Sequence, residues 1–528
     1  MIQREIAGTG ISDRPVSDQT EQQPNFGRQA PAVPSRFDLG TPINQRSYLC
    51  GGEKQWDGAL QEVTSPVLHN ADGTRRVMGA YPVLKAEQAL EALDAAKKAY
   101  DDGLGPWPSM SPEGRIACMR QFAARMLEKR DQVVTLLVLE IAKTVPDAEK
   151  EFDRTIELIE NTVEAYEKLV SGDREKSFEG VAAQLARSPY GVVLNMGPFN
   201  YPLNETLQTL VPALLMGNTS IVKPPRIGVL LFEPLMEAFK ESFPSGVVNF
   251  IYGDGREIIT PLMQSGEVDF LSFIGSTPVA KAILGQHPSE VALPRYLGLG
   301  SVDPAIILPH ADQRAAVEEG VRGALTFNGQ RCTALKRFFV PSVSGAEFAQ
   351  ALGEKASALR RGMPWDPGVQ LTPLAEEDKG AKMRELIEDA VAHGARIMNP
   401  DGGREIDGVF VPAVLFPVTP EMRIYREEQF GPVVPVIPYD DLSEVIAALK
   451  AAPGRHQASV FGAEGADLET AVGAVSRLVH RVNVNTQCQR GPDALPFTGT
   501  GEAGIGTISI SDALLMFSTP RLVVRKST

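Results

Sequence analysis

The chain has 528 residues, 43% of them hydrophobic and 7% aromatic, so it can bury a large core and should form about three domains. Its formal net charge is -14, without a dense tract of Lys or Arg, which argues against nucleic acid as a partner. Four cysteines without metal-ligand spacing, no signal-peptide pattern and no long apolar run predict a cytoplasmic protein with no bound metal and no contact with a membrane.

Residues 1–45 carry few regularly spaced apolar side chains, which predicts a tail that is mobile or lies over the surface. Helical spacing follows over 86–100 and 112–170 and predicts amphipathic helices. From residue 188 short apolar runs alternate with helical stretches, and this alternation predicts α/β architecture with parallel sheets in two successive layers. The predicted strands cover residues 191–196, 219–222, 247–252, 270–273, 305–308, 433–437 and 458–461.

Ligands of a parallel sheet bind beyond the carboxyl ends of its strands, so the residues that follow each strand are candidates for a site. Asn200 follows the first strand and has an amide that can stabilise an oxyanion, although an Asn that ends a turn is the simpler interpretation. Lys223 and Arg226 flank two prolines that stiffen a turn suited to ribose or phosphate groups. Ser276 precedes a helical stretch whose free amides can bind a pyrophosphate.

A second candidate is the glycine-led turn Gly-Gln-Arg-Cys-Thr at 329–333. A loop keeps the Cys332 thiol accessible, and the neighbouring guanidinium of Arg331 is expected to favour the reactive thiolate. The alternative is a small buried hydrophobic residue, which is what a free cysteine usually is. Only the surrounding motifs decide between the two.

Five motifs in this order resemble the NAD(P)-dependent aldehyde dehydrogenase superfamily: Gly-Pro-Phe-Asn-Tyr-Pro at 197–202, Lys-Pro-Pro at 223–225, Phe-Ile-Gly-Ser-Thr at 273–277, Gly-Gln-Arg-Cys-Thr at 329–333 and Glu-Glu-Gln-Phe-Gly-Pro-Val at 427–433. The resemblance implies an aldehyde-dehydrogenase-like α/β fold, with two parallel-sheet domains and a small β element for oligomerisation. It predicts a dinucleotide-binding domain over 46–170 and 190–297, and a catalytic domain over 298–495. A hairpin at 171–189 and the segment 496–528 should build a homotetramer or homodimer.

The superfamily's site residues carry over at matching positions. Cys332 is the expected nucleophile and Asn200, with the Cys332 backbone amide, the expected oxyanion donor. Residues that resemble the family's cofactor contacts are Lys223, Pro225, Arg226, Gly255, Gly275, Ser276, Glu428 and Phe430. NAD-preferring relatives carry a glutamate where this chain has Arg226, so the resemblance predicts NADP as the cofactor.

Within the superfamily, the chain is most similar to the non-phosphorylating glyceraldehyde-3-phosphate dehydrogenases, which pair Asn-Tyr-Pro with Gln-Arg-Cys-Thr and a late Gln-Arg-Gly. The last of these stands here at 489–491. The similarity implies a small, phosphorylated aldehyde as the substrate, with Gln330 also near it. The predicted phosphate contacts are Arg154, Tyr201, Arg331 and Arg490, and guanidinium and phenol groups are suitable donors for a phosphate.

One position departs from the family. A glutamate is expected ahead of the cysteine, where it activates the water that hydrolyses the thioester, and this chain has Gly298 there. A positioned general base contributes about 10²–10⁴ in rate, so hydrolysis should be slow unless another group acts. Two alternatives therefore stay open: a dehydrogenase that transfers the acyl group to coenzyme A, and a non-catalytic relative that binds NADP or a metabolite.

Overall fold

The computed structural model describes residues 33–172 and 175–526. The α/β class predicted from the sequence is confirmed, since two large, mostly parallel sheets carry helices on their faces. The predicted strands appear within one or two residues of their expected bounds. The division into domains that the sequence suggests stays a prediction.

The first sheet has eight strands, and its five central strands are parallel. Their apolar residues are buried on both faces, as expected when helices cover a parallel sheet. In spatial order the strands are Gly504–Ile505, Arg295–Gly298, Phe270–Ile274, Val192–Met196, Thr219–Lys223, Val248–Phe250, Ser47–Leu49 and Glu53–Gln55. The strand Gly504–Ile505 thus joins this sheet, although the sequence assigned its segment to the oligomerisation element.

The second sheet has seven strands and is parallel except at one edge. In spatial order they are Arg396–Ile397, Ala413–Phe416, Val433–Tyr439, Arg337–Pro341, Pro304–Ile307, Gln457–Phe461 and Arg481–Val484. A smaller antiparallel sheet contains Glu175–Phe178, Val181–Pro189 and Ser518–Lys526, and another contains Ile43–Asn44, Leu60–His69 and Arg75–Pro82. Short two-stranded pairings join Glu405–Ile406 to Val409–Phe410, Gly454–Arg455 to Thr500–Gly501, and Phe497–Thr498 to Thr507–Ile508.

The helical region predicted over 112–170 consists of three helices, Pro112–Leu127, Arg130–Ile141 and Val145–Ser171. The middle helix is not amphipathic as the sequence predicted, because every residue from Val133 to Ile141 is buried. It packs between the antiparallel strand Leu60–His69 and the long third helix. The other α-helices are Ala86–Tyr100, Asn204–Leu215, Met236–Ser242, Gly255–Gln264, Thr277–Leu284, Gln313–Leu325, Gly345–Ser357, Lys379–Ala392, Arg423–Arg426, Leu442–Ala451, Ala466–Val475 and Ile510–Met516.

Most of the predicted N-terminal tail, residues 1–32, lies outside the described residues. The remainder is attached to the core: Phe37 is buried and stacks on Trp365, and the strand Ile43–Asn44 pairs with Arg75–Pro82. The predicted boundary at residue 45 is therefore too late. Within the described part of the chain, no helix is both long enough and apolar enough to cross a membrane.

Candidate active site

The predicted cofactor residues and Asn200 meet at one edge of the first sheet. The five central strands run parallel, so their carboxyl ends share that edge. Asn200 follows Val192–Met196, Lys223 ends Thr219–Lys223, Gly275 follows Phe270–Ile274, and Gly298 ends Arg295–Gly298. The topology thus brings together motifs that lie far apart in the sequence.

Cys332 lies in a turn, as predicted, between the helix Gln313–Leu325 and the strand Arg337–Pro341. Phe327, Asn328 and Gly329 before it all adopt left-handed backbone conformations, with φ of 52°, 55° and 72°. The Asn328 amide holds this backbone by donating to the carbonyl of Thr372 at 3.0 Å. A Cβ on Gly329 would lie 2.7 Å from the carbonyl oxygen of Gly431, so glycine is required there for conformation and for space.

A hydrogen bond at this turn connects the segment that follows a strand of the first sheet to the segment that precedes a strand of the second sheet. Nδ2 of Asn200 donates to the carbonyl of Gln330, two residues before Cys332, at 2.9 Å, and an amide of this kind has a second hydrogen to donate. The Gln330 side chain is fully buried and turned toward Phe327, so the direct substrate contact that the sequence predicted for it does not fit this geometry. Gln330 instead positions Asn200.

A buried ion pair that the sequence did not reveal holds Asn200 from the other side. The Lys143 ammonium is fully buried, pairs with Glu151, and donates to the carbonyl of Asn200 at 3.0 Å. It also lies 3.6 Å from the centre of the Tyr201 ring. Glu151 in turn accepts from the backbone amide of Asn204 at 3.2 Å, at the start of the next helix.

The Cys332 thiol is half-buried and is not the ready thiolate that the sequence predicted. Burial, followed by the nearby Glu205 carboxylate, raises the pKa of this thiol to about 12. The cation that lowers its pKa is Lys336, which donates to the carbonyl of Cys332 at 2.7 Å. The Arg331 guanidinium donates instead to the carbonyl of Gly323 at 2.7 Å, so it does not take the role expected of it.

This environment predicts a steep pH dependence for alkylation of Cys332. For a thiol with a pKa of about 12, the fraction present as thiolate rises about tenfold per pH unit at lower pH. The rate at which iodoacetamide alkylates Cys332 in the free protein should therefore rise about tenfold per unit from pH 7 to 9. Mass spectrometry of the Cys332 peptide measures the rate of alkylation at this residue. A Cys332→Ser variant measures the background alkylation at Cys118. A rate that levels off below pH 9 would contradict the raised pKa.

The predicted phosphate contacts lie around the same turn, but two carboxylates accompany them. Arg154 forms a two-pronged ion pair with Asp493, with one N–O distance of 2.9 Å. Arg490 is 8% exposed and stacks over the Phe497 ring at 4.7 Å. Burial raises the pKa of Glu205. The charges on Arg490 and Arg154 lower it by less, so the net shift is upward. Both arginines are largely buried rather than solvated.

Lys223 and Arg226 form a cationic turn at the sheet edge. Burial lowers the pKa of Lys223 to about 8; Asp254 raises it, and Arg226 lowers it as a nearby like charge. Glu140 anchors the following backbone by accepting from the amides of Gly228 and Val229 at 2.7 and 2.8 Å. Two close cations beside a single acid suit an anionic group such as a phosphate.

The other predicted cofactor residues line the same edge. Ser276 is exposed at the start of the helix Thr277–Leu284 and makes no capping bond with its own side chain, so the first amides of that helix are free. Gly275 is half-buried next to it, and Pro225 is half-buried in the cationic turn. Gly255 begins the helix Gly255–Gln264, and the space where its side chain would lie is open.

Glu428 and Phe430 lie in the loop between the helix Arg423–Arg426 and the second-sheet strand Val433–Tyr439. Oε1 of Glu428 lies 2.8 Å from the Lys336 ammonium, and Phe430 contacts the Phe199 ring with centroids 5.9 Å apart. Phe430 has a φ of 44°, in the left-handed region that only a few non-glycine residues adopt. The predicted cofactor residues thus supply donors and acceptors around this edge, and their contact with a dinucleotide stays a prediction.

Gly298 lies where the resemblance expects a glutamate, and no carboxylate of its own strand replaces it. Its backbone has no positive φ. A Cβ there would lie 3.2 Å from the Tyr296 hydroxyl and 3.3 Å from Ile274, so a side chain would need a small shift of these neighbours. The obstacle to a glutamate is thus space rather than backbone conformation.

Lys143, Glu205 and Lys336 are the site residues that sequence reasoning missed. Lys143 and Lys336 are charged residues within or next to apolar runs, a signal that could have drawn attention to them, whereas Glu205 is flanked by Asn204 and Thr206 and carries no such signal. In the described ranges, no group of three or more His, Cys, Asp and Glu side chains could hold a metal ion.

Comparison with known proteins identifies the class of protein to which this site belongs. A sequence model of the aldehyde dehydrogenase family matches residues 59–523, and the chain belongs to that family.

Individual relatives are of moderate similarity. The NADP-dependent glyceraldehyde-3-phosphate dehydrogenase of Streptococcus equinus is 33% identical over 86% of this chain and 94% of its own length. The succinate-semialdehyde dehydrogenase [NADP(+)] of Deinococcus radiodurans is 29% identical over 85% of this chain and 93% of its own. The crystal structure of the NADP-dependent glyceraldehyde-3-phosphate dehydrogenase of Bacillus halodurans C-125 complexed with NADP matches with a TM-score of 0.83 and 30% identity, covering 92% of this chain and 99% of that one.

Proposed function

We propose that this protein oxidises a small, phosphorylated aldehyde, glyceraldehyde 3-phosphate or a similar compound, to its acid, with NADP as the oxidant and a thioester on Cys332 as the intermediate. The observation that carries the proposal is the Asn200 amide bound at 2.9 Å to the Gln330 carbonyl in the turn that contains Cys332, with Arg154 and Arg490 both near the Glu205 carboxylate. The names of the S. equinus and B. halodurans relatives support the choice of substrate and cofactor.

The chain's residues account for the first half of the reaction. The Cys332 thiol gives its proton to solvent, and Sγ forms a bond to the aldehyde carbon while the π electrons of the carbonyl move to its oxygen, which becomes an oxyanion. The free hydrogen of the Asn200 amide and the Cys332 backbone amide stabilise that oxyanion. When bound, NADP supplies the acceptor for the hydride that the thiohemiacetal carbon gives up, which leaves a thioester on Cys332.

The substrate's phosphate would bind at Arg154, Tyr201, Arg331 and Arg490. Charge-assisted hydrogen bonds to a phosphate are about twice as strong as neutral ones, which suits a cluster of guanidinium groups. Asp493 and Glu205 offset part of that charge. A phosphorylated substrate would therefore be favoured less strongly than the number of arginines suggests.

The cofactor would lie along the carboxyl edge of the first sheet. Lys223 and Arg226 would hold its 2'-phosphate, with Pro225 stiffening their turn. Gly275, Ser276 and Gly255 would face the pyrophosphate, and Glu428 and Phe430 the nicotinamide half. Two adjacent cations outnumber the single nearby acid, Asp254, and this excess of positive charge favours NADP over NAD.

Arg226 provides a test of the cofactor. Arg226→Glu should shift preference from NADP toward NAD by about 1 kcal/mol or more, because the variant loses a charge-assisted bond and places an acid beside the 2'-phosphate. Fluorescence titration with both dinucleotides measures the ratio of dissociation constants. Arg120→Glu, an exposed change on the helix Pro112–Leu127, serves as the charge control. Equal affinity of the unmodified protein for NAD and NADP would remove Arg226 from the cofactor site.

Gly298 favours a second candidate, a dehydrogenase that transfers the acyl group to coenzyme A, because that reaction needs no base for water. Stopped-flow recording of NADPH separates the candidates. A burst followed by steady turnover in buffer alone supports hydrolysis, and steady turnover only after coenzyme A is added supports acyl transfer. Absence of a burst with every aldehyde would contradict both and favour a binding protein.

We also propose that the sheet of Glu175–Phe178, Val181–Pro189 and Ser518–Lys526 forms the contact of a homotetramer or homodimer. Its strands expose several large apolar side chains, Phe178, Leu185, Leu522 and Val524. Contiguous exposed apolar surface on a sheet edge commonly marks an interface. Sedimentation of Leu522→Asp against the unmodified chain tests the assignment, and an unchanged sedimentation coefficient would contradict it. A cytoplasmic location stays a prediction.

A further inference from the structure

A polar group borders the space beside Gly298. The Tyr296 hydroxyl lies 3.2 Å from where a Cβ of residue 298 would be, and Tyr296 is buried. Its hydroxyl is close enough to Arg490, Glu205 and Cys332 for the charge of each to change its pKa. The Tyr296 hydroxyl therefore borders the volume that a glutamate at position 298 would enter, and Arg490, Glu205 and Cys332 are near that hydroxyl.

Glu205 is the carboxylate of this group. It lies in the first turn of the helix Asn204–Leu215 and is half-buried, so water can reach it. With the Gln208 amide oriented to suit both its neighbours, Gln208 donates to Oε2 of Glu205 at 3.0 Å and accepts from Arg490. Gln208, one helical turn from Glu205, thus fixes the orientation of the carboxylate.

Two other acids influence the Cys332 thiol, but both are engaged. Asp303 is 1% exposed, pairs with Ser301, and accepts from the backbone amide of His456 at 3.2 Å. Glu428 is paired with Lys336 at 2.8 Å. The charge of Glu205 affects the thiol more than either of these, and burial raises the pKa of Glu205 itself, which strengthens it as a proton acceptor.

We infer that Glu205 is the general base that releases the product, in place of the glutamate that Gly298 replaces. The inference rests on the proposed function, since it needs a thioester on Cys332. Glu205 takes a proton from a water molecule while the water oxygen bonds to the thioester carbon. The tetrahedral intermediate then breaks its C–S bond, the acid leaves, and the Cys332 thiolate recovers the proton from Glu205. No oxidant or reductant takes part.

Glu205→Gln in the full chain tests the base. The NADPH burst should keep its amplitude, because formation of the thioester does not need this carboxylate, while steady turnover should fall by about 10²–10⁴. The acid limb of the kcat–pH profile should also disappear with the carboxylate. Glu160→Gln, an exposed residue on the helix Val145–Ser171, is the matched control and should change neither phase. Titration with NADP checks that the variant is folded.

A second variant keeps the test informative if Glu205→Gln is unstable. Gly298→Glu should raise steady turnover modestly in the unmodified chain and much more in the Glu205→Gln background, where no base remains. Unchanged turnover in Glu205→Gln, with the burst intact, would overturn the role of Glu205 and leave the proposed function standing. Loss of the burst together with turnover would assign Glu205 to thiol activation and also overturn it. A wild-type protein without any burst would refute the proposed function itself.

Discussion

Cys332→Ser should abolish the NADPH burst, while affinity for NADP stays within about twofold of the unmodified chain. A serine hydroxyl has no anion population near neutral pH, so no covalent intermediate forms on it. Stopped-flow absorbance measures the burst, and titration measures the cofactor affinity. This change should have the largest effect of any single substitution in the chain.

The structure also limits which other thiol could produce an NADPH burst in the Cys332→Ser variant. Cys488 is the alternative thiol nearest in sequence to the site, but it is fully buried beside Ser459, and burial raises its pKa. It cannot meet an aldehyde without local opening of the fold. Cys488→Ala serves as the matched control and should leave the burst unchanged. A burst that persists in Cys332→Ser would contradict the thioester mechanism.

Arg490→Ala should reduce kcat/KM for a phosphorylated aldehyde much more than for its unphosphorylated counterpart. Only the phosphorylated substrate loses a charge-assisted pair, which contributes about 1.5–3 kcal/mol, or roughly ten- to a hundredfold. The variant also leaves Glu205 with one cation fewer beside the thiol, but that loss is common to both substrates and cancels in the ratio.

Steady-state kinetics with glyceraldehyde 3-phosphate and glyceraldehyde gives the comparison. The control is Arg477→Ala. Arg477 is exposed and lies between the helix Ala466–Val475 and the second-sheet strand Arg481–Val484. Equal losses on the two substrates would mean that Arg490 supports the fold and the position of Gln208 rather than a substrate phosphate. The predicted substrate class would then be wrong, while the aldehyde dehydrogenase family would still stand.

Much of the fold could be predicted because its signals are local. Apolar runs such as residues 270–273 and 305–308 marked central strands, and they are buried in the two sheets. Parallel topology then requires the residues after Met196, Lys223 and Ile274 to meet at one edge. Periodicity thus indicated which segments follow strands, whereas the assignment of the cofactor residues came from the family resemblance and stays a prediction.

The thiol's environment could not be predicted in the same way. Sequence proximity suggested Arg331 as its cation, but Arg331 donates to Gly323 and Lys336 takes that place. Burial dominates the pKa of Cys332 and reverses the expected direction. Burial depends on how the two sheets pack against each other, and no local pattern around residue 332 reports it.

The sequence by itself determined the α/β class, the nucleophile turn, the absence of the usual glutamate at Gly298 and the resemblance to the aldehyde dehydrogenase family. Only the tertiary structure decided that Lys143 and Glu151 hold Asn200, and that Gln208 holds Glu205 beside Arg490, near enough to the Cys332 thiol for its charge to raise the pKa of the thiol. The physical reason is separation along the chain. Lys143 and Asn200 are 57 residues apart, and charged groups so distant act on each other only after folding has buried them together.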